Sequence, residues 1–149
     1  MNARFARYDD LKGIMGLYEI LHPDDEKASS SPLENVWDEI MSNPGRYRYA
    51  VVEENDRLVA TCNIAVVPNL TRTGRPYAVI ENVVTHPDFR RKGYGSVAIQ
   101  LLLDFAREQN CYKVMLLSSA KREEAHEFYK SLGFDGDSKC GFVYYPDER

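Results

Sequence analysis

The chain has 149 residues, 44% of them hydrophobic and 28% charged, and a formal net charge of −4. That size and composition read as a single globular domain over residues 1–149, and the acidic balance excludes a generic nucleic-acid binder. No apolar run approaches a membrane span, no signal region opens the chain, and Cys62, Cys111 and Cys140 lack metal-ligand spacing, so the expectation is a cytoplasmic protein without a metal.

In chain order, residues 3–8 suit a first strand. Asp9 or Asp10 offers an N-cap, and Leu11, Ile14, Met15, Tyr18 and Leu21 recur at helical spacing up to His22-Pro23. The polar stretch after it reads as a loop. Ser31-Pro32-Leu33-Glu34 is a capping box with proline at the first helical position, predicting a short helix to about Met41 that Asn43-Pro44-Gly45 ends. Tyr47–Glu53 and Leu58–Val67 read as strands joined by a tight turn at Asn55-Asp56. A loop with Arg72 and Arg75 leads to a third antiparallel strand, Tyr77–Thr85.

The most strongly patterned segment follows Gly95. Tyr94, Val97, Ala98, Leu101, Leu102, Phe105 and Ala106 share one helical face, and Ile99 and Leu103 widen it. The apolar run Tyr112–Leu117 suits a central strand. Lys121–Leu132 has a stripe of Ala125, Phe128, Tyr129 and Leu132, with Gly133 as C-cap, and Phe134 to Tyr145 reads as a final hairpin. Antiparallel strands followed by a strand–helix–strand crossover give an α+β class. The layout is an α/β/α sandwich whose mixed, mostly antiparallel sheet carries helices on both faces.

The segment Ile80 to Ser96, IENVVTHPDFRRKGYGS, carries the chemistry. A strand runs into a cationic, glycine-containing loop and then into a helix N-terminus, whose N–H groups form a ready anion site. A pyrophosphate-binding turn is the expectation. Gly93-x-Gly95-x-x-Ala98 also satisfies a dinucleotide fingerprint, but Lys113 to Leu117 lacks the ribose-binding carboxylate and three antiparallel strands precede the motif. A nucleotide-hydrolase loop needs Gly-Lys-Ser/Thr, and Gly95-Ser96 lacks the lysine.

Arg90-Arg91-Lys92-Gly93-Tyr94-Gly95 resembles the acetyl-CoA pyrophosphate motif of the GNAT superfamily of N-acetyltransferases. Glu127-Phe128-Tyr129-Lys130-Ser131-Leu132-Gly133-Phe134 resembles the aromatic motif that closes these folds. Ile80-Glu81-Asn82-Val83-Val84 running without a gap to Arg90, followed by Cys111-Tyr112-Lys113, is similar to glucosamine-6-phosphate N-acetyltransferases. Two features depart from those patterns. Arg122 stands where many relatives carry an asparagine, and the span from Cys111 to Tyr129 is about two residues longer than in the sugar-phosphate enzymes.

The resemblance implies the acyl-CoA N-acyltransferase fold, with six to seven strands, and acetyl-CoA as co-substrate. It implies that the backbone of Arg91 to Ser96 holds the pyrophosphate, with Arg90, Arg91 and Lys92 supplying charge. Gly93, Tyr94, Gly95 and Ser96 thereby belong to the cofactor loop. The pantetheine arm would pair with the main chain of Val83, Val84 and Thr85 beside a local bulge, and Arg122 could reach a CoA phosphate or an acidic substrate, or simply be solvated. Glu81 is the candidate base, against an exposed strand carboxylate, and Tyr129 the candidate acid for the CoA thiolate, against a member of the apolar stripe. Asn82 points away from Glu81 at simple alternation unless a bulge reverses it.

His86 reads as turn chemistry and His126 as a solvated helix residue. Arg72 and Arg75 are either substrate-anion ligands or ordinary loop arginines. The activity implied is direct acetyl transfer to a primary amine of a small molecule. A peptide or protein acceptor and a non-catalytic acyl-CoA-binding module are the alternatives, and a homodimer is the oligomer common in the superfamily.

Overall fold

The computed structural model describes residues 1–27 and 30–147, and the side chains of Ser30 and Ser31 fall outside it. The capping box at Ser31 therefore lies outside the described residues. The chain divides into two compact units, Met1–Leu116 and Leu117–Arg149.

The first unit is a sheet of five strands in the order β1-β2-β3-β4-β5. The strands are β1 Ala3–Phe5, β2 Tyr47–Glu54, β3 Arg57–Val67, β4 Tyr77–Thr85 and β5 Val114–Met115. The first four pair antiparallel, and β5 joins β4 in parallel after the crossover through a helix. The long helices of this unit are α1 Leu11–Leu21, α2 Ser30–Met41 and α3 Tyr94–Glu108, and a single helical turn, Thr71–Gly74, lies between β3 and β4. Asn55 and Asp56 both take positive φ, 52° and 58°, the backbone a two-residue hairpin requires. Asp10 precedes α1 without capping it by its side chain. Its carboxylate instead accepts from Arg7 N–H at 2.6 Å and from Arg4 at 2.7 and 3.1 Å, closing the 3-10 turn Tyr8–Asp10.

Cross-strand partners share a face, so the ladder assigns both sides of the sheet. Tyr49, Val51 and Thr61 belong to the face covered by α1 and α2, where Ile14, Trp37 and Val51 form a buried cluster. The Trp37 ring meets Tyr49 edge-on at 5.3 Å, and its Nε1 donates to Tyr8 O at 2.8 Å. On the opposite face α3 buries Tyr94, Ala98, Ile99, Leu102, Phe105 and Ala106; Val97 and Leu101 of the predicted stripe are half-buried, and Ile99, expected at its margin, is buried. Each large aliphatic side chain so buried contributes about 1.5–3 kcal/mol. Phe105 packs edge-on against Phe5 at 5.9 Å, and the Arg48 guanidinium lies 4.3 Å from the Phe5 ring centre.

The second unit contains α4, Glu123–Ser131, which ends at Gly133 with φ 96°. Gly133 N–H donates to Lys130 O at 3.0 Å and Phe134 N–H to Tyr129 O at 3.1 Å, the glycine cap expected there.

The sandwich class holds, but among the described residues five strands replace the six to seven expected. The run Tyr112–Leu117 contributes only Val114–Met115, because β4 pairs with β5 only at Ala78 and Val79. The hairpin over Phe134 to Tyr145 is not formed among the described residues. Asp135 Oδ1 accepts from the N–H groups of Asp137 (2.9 Å) and Ser138 (3.2 Å), and this local turn competes with a ladder. Phe142 and Tyr144 stay exposed.

Candidate active site

The site grows from a fault in the β3–β4 ladder. Between the pairs Asn63↔Glu81 and Thr61↔Val84, β3 contributes one residue, Cys62, and β4 contributes two, Asn82 and Val83. This is a β-bulge with its extra residue on β4. Asn82 adopts φ 55°, a left-handed conformation that asparagine tolerates better than any branched residue. Its Nδ2 donates to Asn63 Oδ1 at 3.0 Å, so simple alternation fails at Asn82 and its side chain reaches the cross-strand partner of Glu81.

The extra residue changes the parity of the strand. Ile80 pairs with Ile64 on the α3 side, and Glu81 pairs with Asn63, itself the partner of Tyr49, on the α1–α2 side. Beyond the bulge Val84 pairs with Thr61, so Glu81 and Val84 lie on the same face three positions apart. Glu81 is exposed, Val84 buried, and Val83 and Thr85 half-buried. On its other edge β4 pairs with β5 only as far as Val79↔Met115, which leaves Ile80 to Thr85 without a strand partner on that side among the described residues. An extended ligand arm could pair there through main-chain groups alone.

The strand leads into the loop through His86, whose Nδ1 accepts from Asp88 N–H at 3.2 Å, and a 3-10 turn, Pro87–Phe89. His86 is therefore turn chemistry. Positive φ falls on Arg91 (60°) and Gly93 (87°), while Arg90 is extended (φ −70°, ψ 155°), so the chain turns sharply through left-handed residues before α3. Gly93 is the N-cap of α3, no side chain caps that helix, and the N–H groups of its first turn have no partner within the helix. Arg90, Arg91 and Lys92 are exposed around this turn. Arg90 Nε donates to Thr85 O at 3.1 Å and Lys92 Nζ to Asp88 O at 3.3 Å, so both arms fold back on the loop they follow.

Tyr94 has a different role from its neighbours. Its ring is buried edge-on against Phe89 at 5.7 Å. Loss of solvent, then the charge of Glu54 and a hydrogen bond to it, raise its phenol above the ordinary value. Tyr94, Gly95 and Ser96 form the first turn of α3. Phe89 anchors the loop. Its ring meets His86 at 5.8 Å, with Lys92 at 5.6 Å and Arg57 at 6.0 Å from its centre.

Arg75 takes the structural reading. Its Nε donates to Asn110 O and an Nη to Cys111 O, both at 3.2 Å, tying the β3–β4 loop to the end of α3. Arg72 lies 5.4 Å from the Tyr112 ring centre. In the second unit, Arg122 is the exposed N-cap of α4. Tyr129 is half-buried between Phe128 and Phe134, with ring centres 5.2 and 6.0 Å away. His126 Nε2 lies 2.8 Å from Ser119 O.

The acetyltransferase (GNAT) family model matches residues 14–134. The chain belongs to the GNAT family. Among solved structures, a putative acetyltransferase from Agrobacterium tumefaciens str. C58 is 39% identical with a TM-score of 0.89, covering 97% of this chain and 99% of that one. Glucosamine-6-phosphate N-acetyltransferase from Arabidopsis thaliana superposes with a TM-score of 0.82 at 25% identity, over 98% of both chains. The glucosamine 6-phosphate N-acetyltransferase of Trypanosoma brucei brucei is 40% identical over 78 residues, 52% of this chain and 51% of the relative. The chain thus spans about half the length of that curated relative.

Two contributors escaped the sequence reading: Asn63, which holds Asn82, and Phe89, which organises the loop. Phe89 carries a usable signal, a lone aromatic beside three consecutive cations. Asn63 carries none, because its partner lies 19 residues away and is chosen by strand register.

Proposed function

We propose that this GNAT protein is an acetyl-CoA-dependent N-acetyltransferase that transfers the acetyl group directly to a primary amine of a small molecule. The observation that carries the proposal is the bulged β4, whose unpaired edge runs into a cationic turn at an uncapped helix N-terminus. A thioester on a pantetheine arm, tethered by a pyrophosphate, suits that sequence of an extended edge and an anion cradle. The pyrophosphate lies on the N–H groups of Arg91 to Ser96, and the arm pairs with Val83, Val84 and Thr85. Thr85 O exchanges its bond with Arg90 for one to the arm.

In the reaction the amine nitrogen attacks the thioester carbonyl, forming the C–N bond. Glu81 accepts the proton the nitrogen sheds, directly or through a water. The C–S bond then breaks and Tyr129 gives its proton to the departing thiolate. Arg122 serves a CoA phosphate. These roles come from the motif resemblance. The position of Glu81 beside the bulge, on the face it shares with Val84, supports the first of them. The family match at residues 14–134 reaches into both units, which supports one catalytic domain. The named activity of the Trypanosoma and Arabidopsis relatives makes glucosamine 6-phosphate the first acceptor to examine. We place the reaction in the cytoplasm, which the three unpaired cysteines favour, and expect the homodimer common in the superfamily.

The test is a panel of amines, with glucosamine 6-phosphate, other amino sugars, polyamines and a peptide, incubated with acetyl-CoA and read as released thiol. Turnover of a small amine supports the proposal. Turnover of the peptide alone would move the acceptor to protein. CoA binding with no acceptor turned over would leave an acyl-CoA-binding module.

A further inference from the structure

Asn82 is the one residue of β4 with positive φ, and it is held from across the strand pair by Asn63. At the first position of such a bulge the left-handed conformation usually selects glycine. Asparagine tolerates the same backbone and adds an amide, and here that amide donates to Asn63 Oδ1 at 3.0 Å. Without the extra residue the ladder would run on from Asn63↔Glu81 to Cys62↔Asn82 and Thr61↔Val83. Val84 would then turn to the α3 face, and Thr85 would slip about 3.4 Å along β3. The chain exit is already fixed on the bulged register, with His86 N–H bonded to Val59 O at 2.8 Å.

We infer that Asn82 and Asn63 are a positioning pair: their hydrogen bond and the left-handed backbone of Asn82 select the bulged register that presents the β4 edge to the pantetheine arm and keeps Glu81 and Val84 on one face. The inference rests on the proposed use of CoA. Neither asparagine transfers a proton or touches the phosphates. They act through the fraction of molecules whose β4 is in the competent register, and apparent affinity scales with that fraction. The pyrophosphate turn lies beyond His86 and is built from its own left-handed residues at Arg91 and Gly93. A loss of register therefore separates the arm from its anchor.

That separation is the test. Affinities are measured by calorimetry for CoA and for a CoA fragment that keeps the pyrophosphate and phosphorylated adenosine but lacks the pantetheine. Asn82→Val places a branched side chain at positive φ and is expected to weaken CoA by about five- to thirtyfold while leaving the fragment unchanged. Asn82→Gly keeps the backbone and loses only the amide, and Asn63→Ala loses only the acceptor. Each is expected to weaken CoA by about two- to tenfold, the worth of one hydrogen bond, and the double variant by no more than either alone.

The same ordering should appear in kcat, with glycine closer to the parent than valine. Should Asn82→Val fail to fold, the Asn82→Gly and Asn63→Ala cycle decides the question. Additive effects, or equal losses for CoA and fragment, would overturn the positioning pair. A parent protein that binds neither ligand would instead overturn the acetyl-CoA reading itself.

Discussion

Gly93 concentrates the energetics of the phosphate turn in one residue. Its φ of 87° and ψ of 4° lie in the left-handed region, and it is both the last residue of the cationic loop and the N-cap of α3. Gly93→Ala is the informative change because space is not limiting. A Cβ built there would lie 3.7 Å from Met1 Sδ and 3.8 Å from its Cε, ordinary contacts. The whole penalty is therefore conformational, about 1–2 kcal/mol for an L-residue in this region.

That energy has two outlets. If the turn keeps its shape, the protein melts lower, by about 2–4 °C for each kcal/mol in a chain of this size. If the turn relaxes, stability recovers and the N–H cradle is lost, weakening CoA by about five- to thirtyfold. Thermal unfolding and calorimetric CoA affinity, measured on the same preparation, should together account for the penalty. Gly93→Asn should lose less on both, since asparagine visits this backbone more readily. Gly16→Ala, inside α1 with open space around it, is the control and should stabilise by about 0.5–1 kcal/mol. If Gly93→Ala changed neither the melting temperature nor the CoA affinity, the left-handed turn would have no part in binding.

Further outcomes are expected elsewhere. Glu81→Gln should lower kcat by about 10²–10⁴-fold, the usual worth of a general base, with acetyl-CoA affinity held; an unchanged kcat returns Glu81 to an exposed strand carboxylate. Tyr129→Phe keeps the ring packing against Phe128 and Phe134, and a kcat reduced by at least about tenfold with acetyl-CoA affinity held is expected. Full activity would assign Tyr129 to packing alone.

The Asp10 carboxyl is held below its ordinary 3.8, first by its hydrogen bond from Arg4 and also by the Arg7 N–H, against the opposing effect of burial. A depressed carboxyl contributes stability that is present above 3.8 and lost as pH falls through the lower folded value. Denaturant unfolding of Asp10→Asn should be weaker than the parent at neutral pH and flatter below pH 4. Parallel pH curves would remove this pair from the acid response.

Much of the architecture was legible from residue order. The apolar stripe of α3, the Asn55-Asp56 hairpin and the Gly133 cap rest on interactions within a few residues of one another, and local pattern reports local forces. The cationic turn was legible for the same reason, since glycine, cations and helix start are contiguous. The sequence could not show that Phe134 to Tyr145 would form a local Asp135 turn, because a hairpin and that turn draw on the same backbone groups.

The strand half of the site was decided only by tertiary structure. Residue order places Glu81 beside Asn82 and Val83, but which face each takes depends on pairing with a strand about 20 residues away. One extra residue at Asn82, held by Asn63, reverses the parity of everything after it. Composition and motif specified the chemistry available to the chain. Long-range register, set by a left-handed asparagine and its hydrogen bond, determined where that chemistry points.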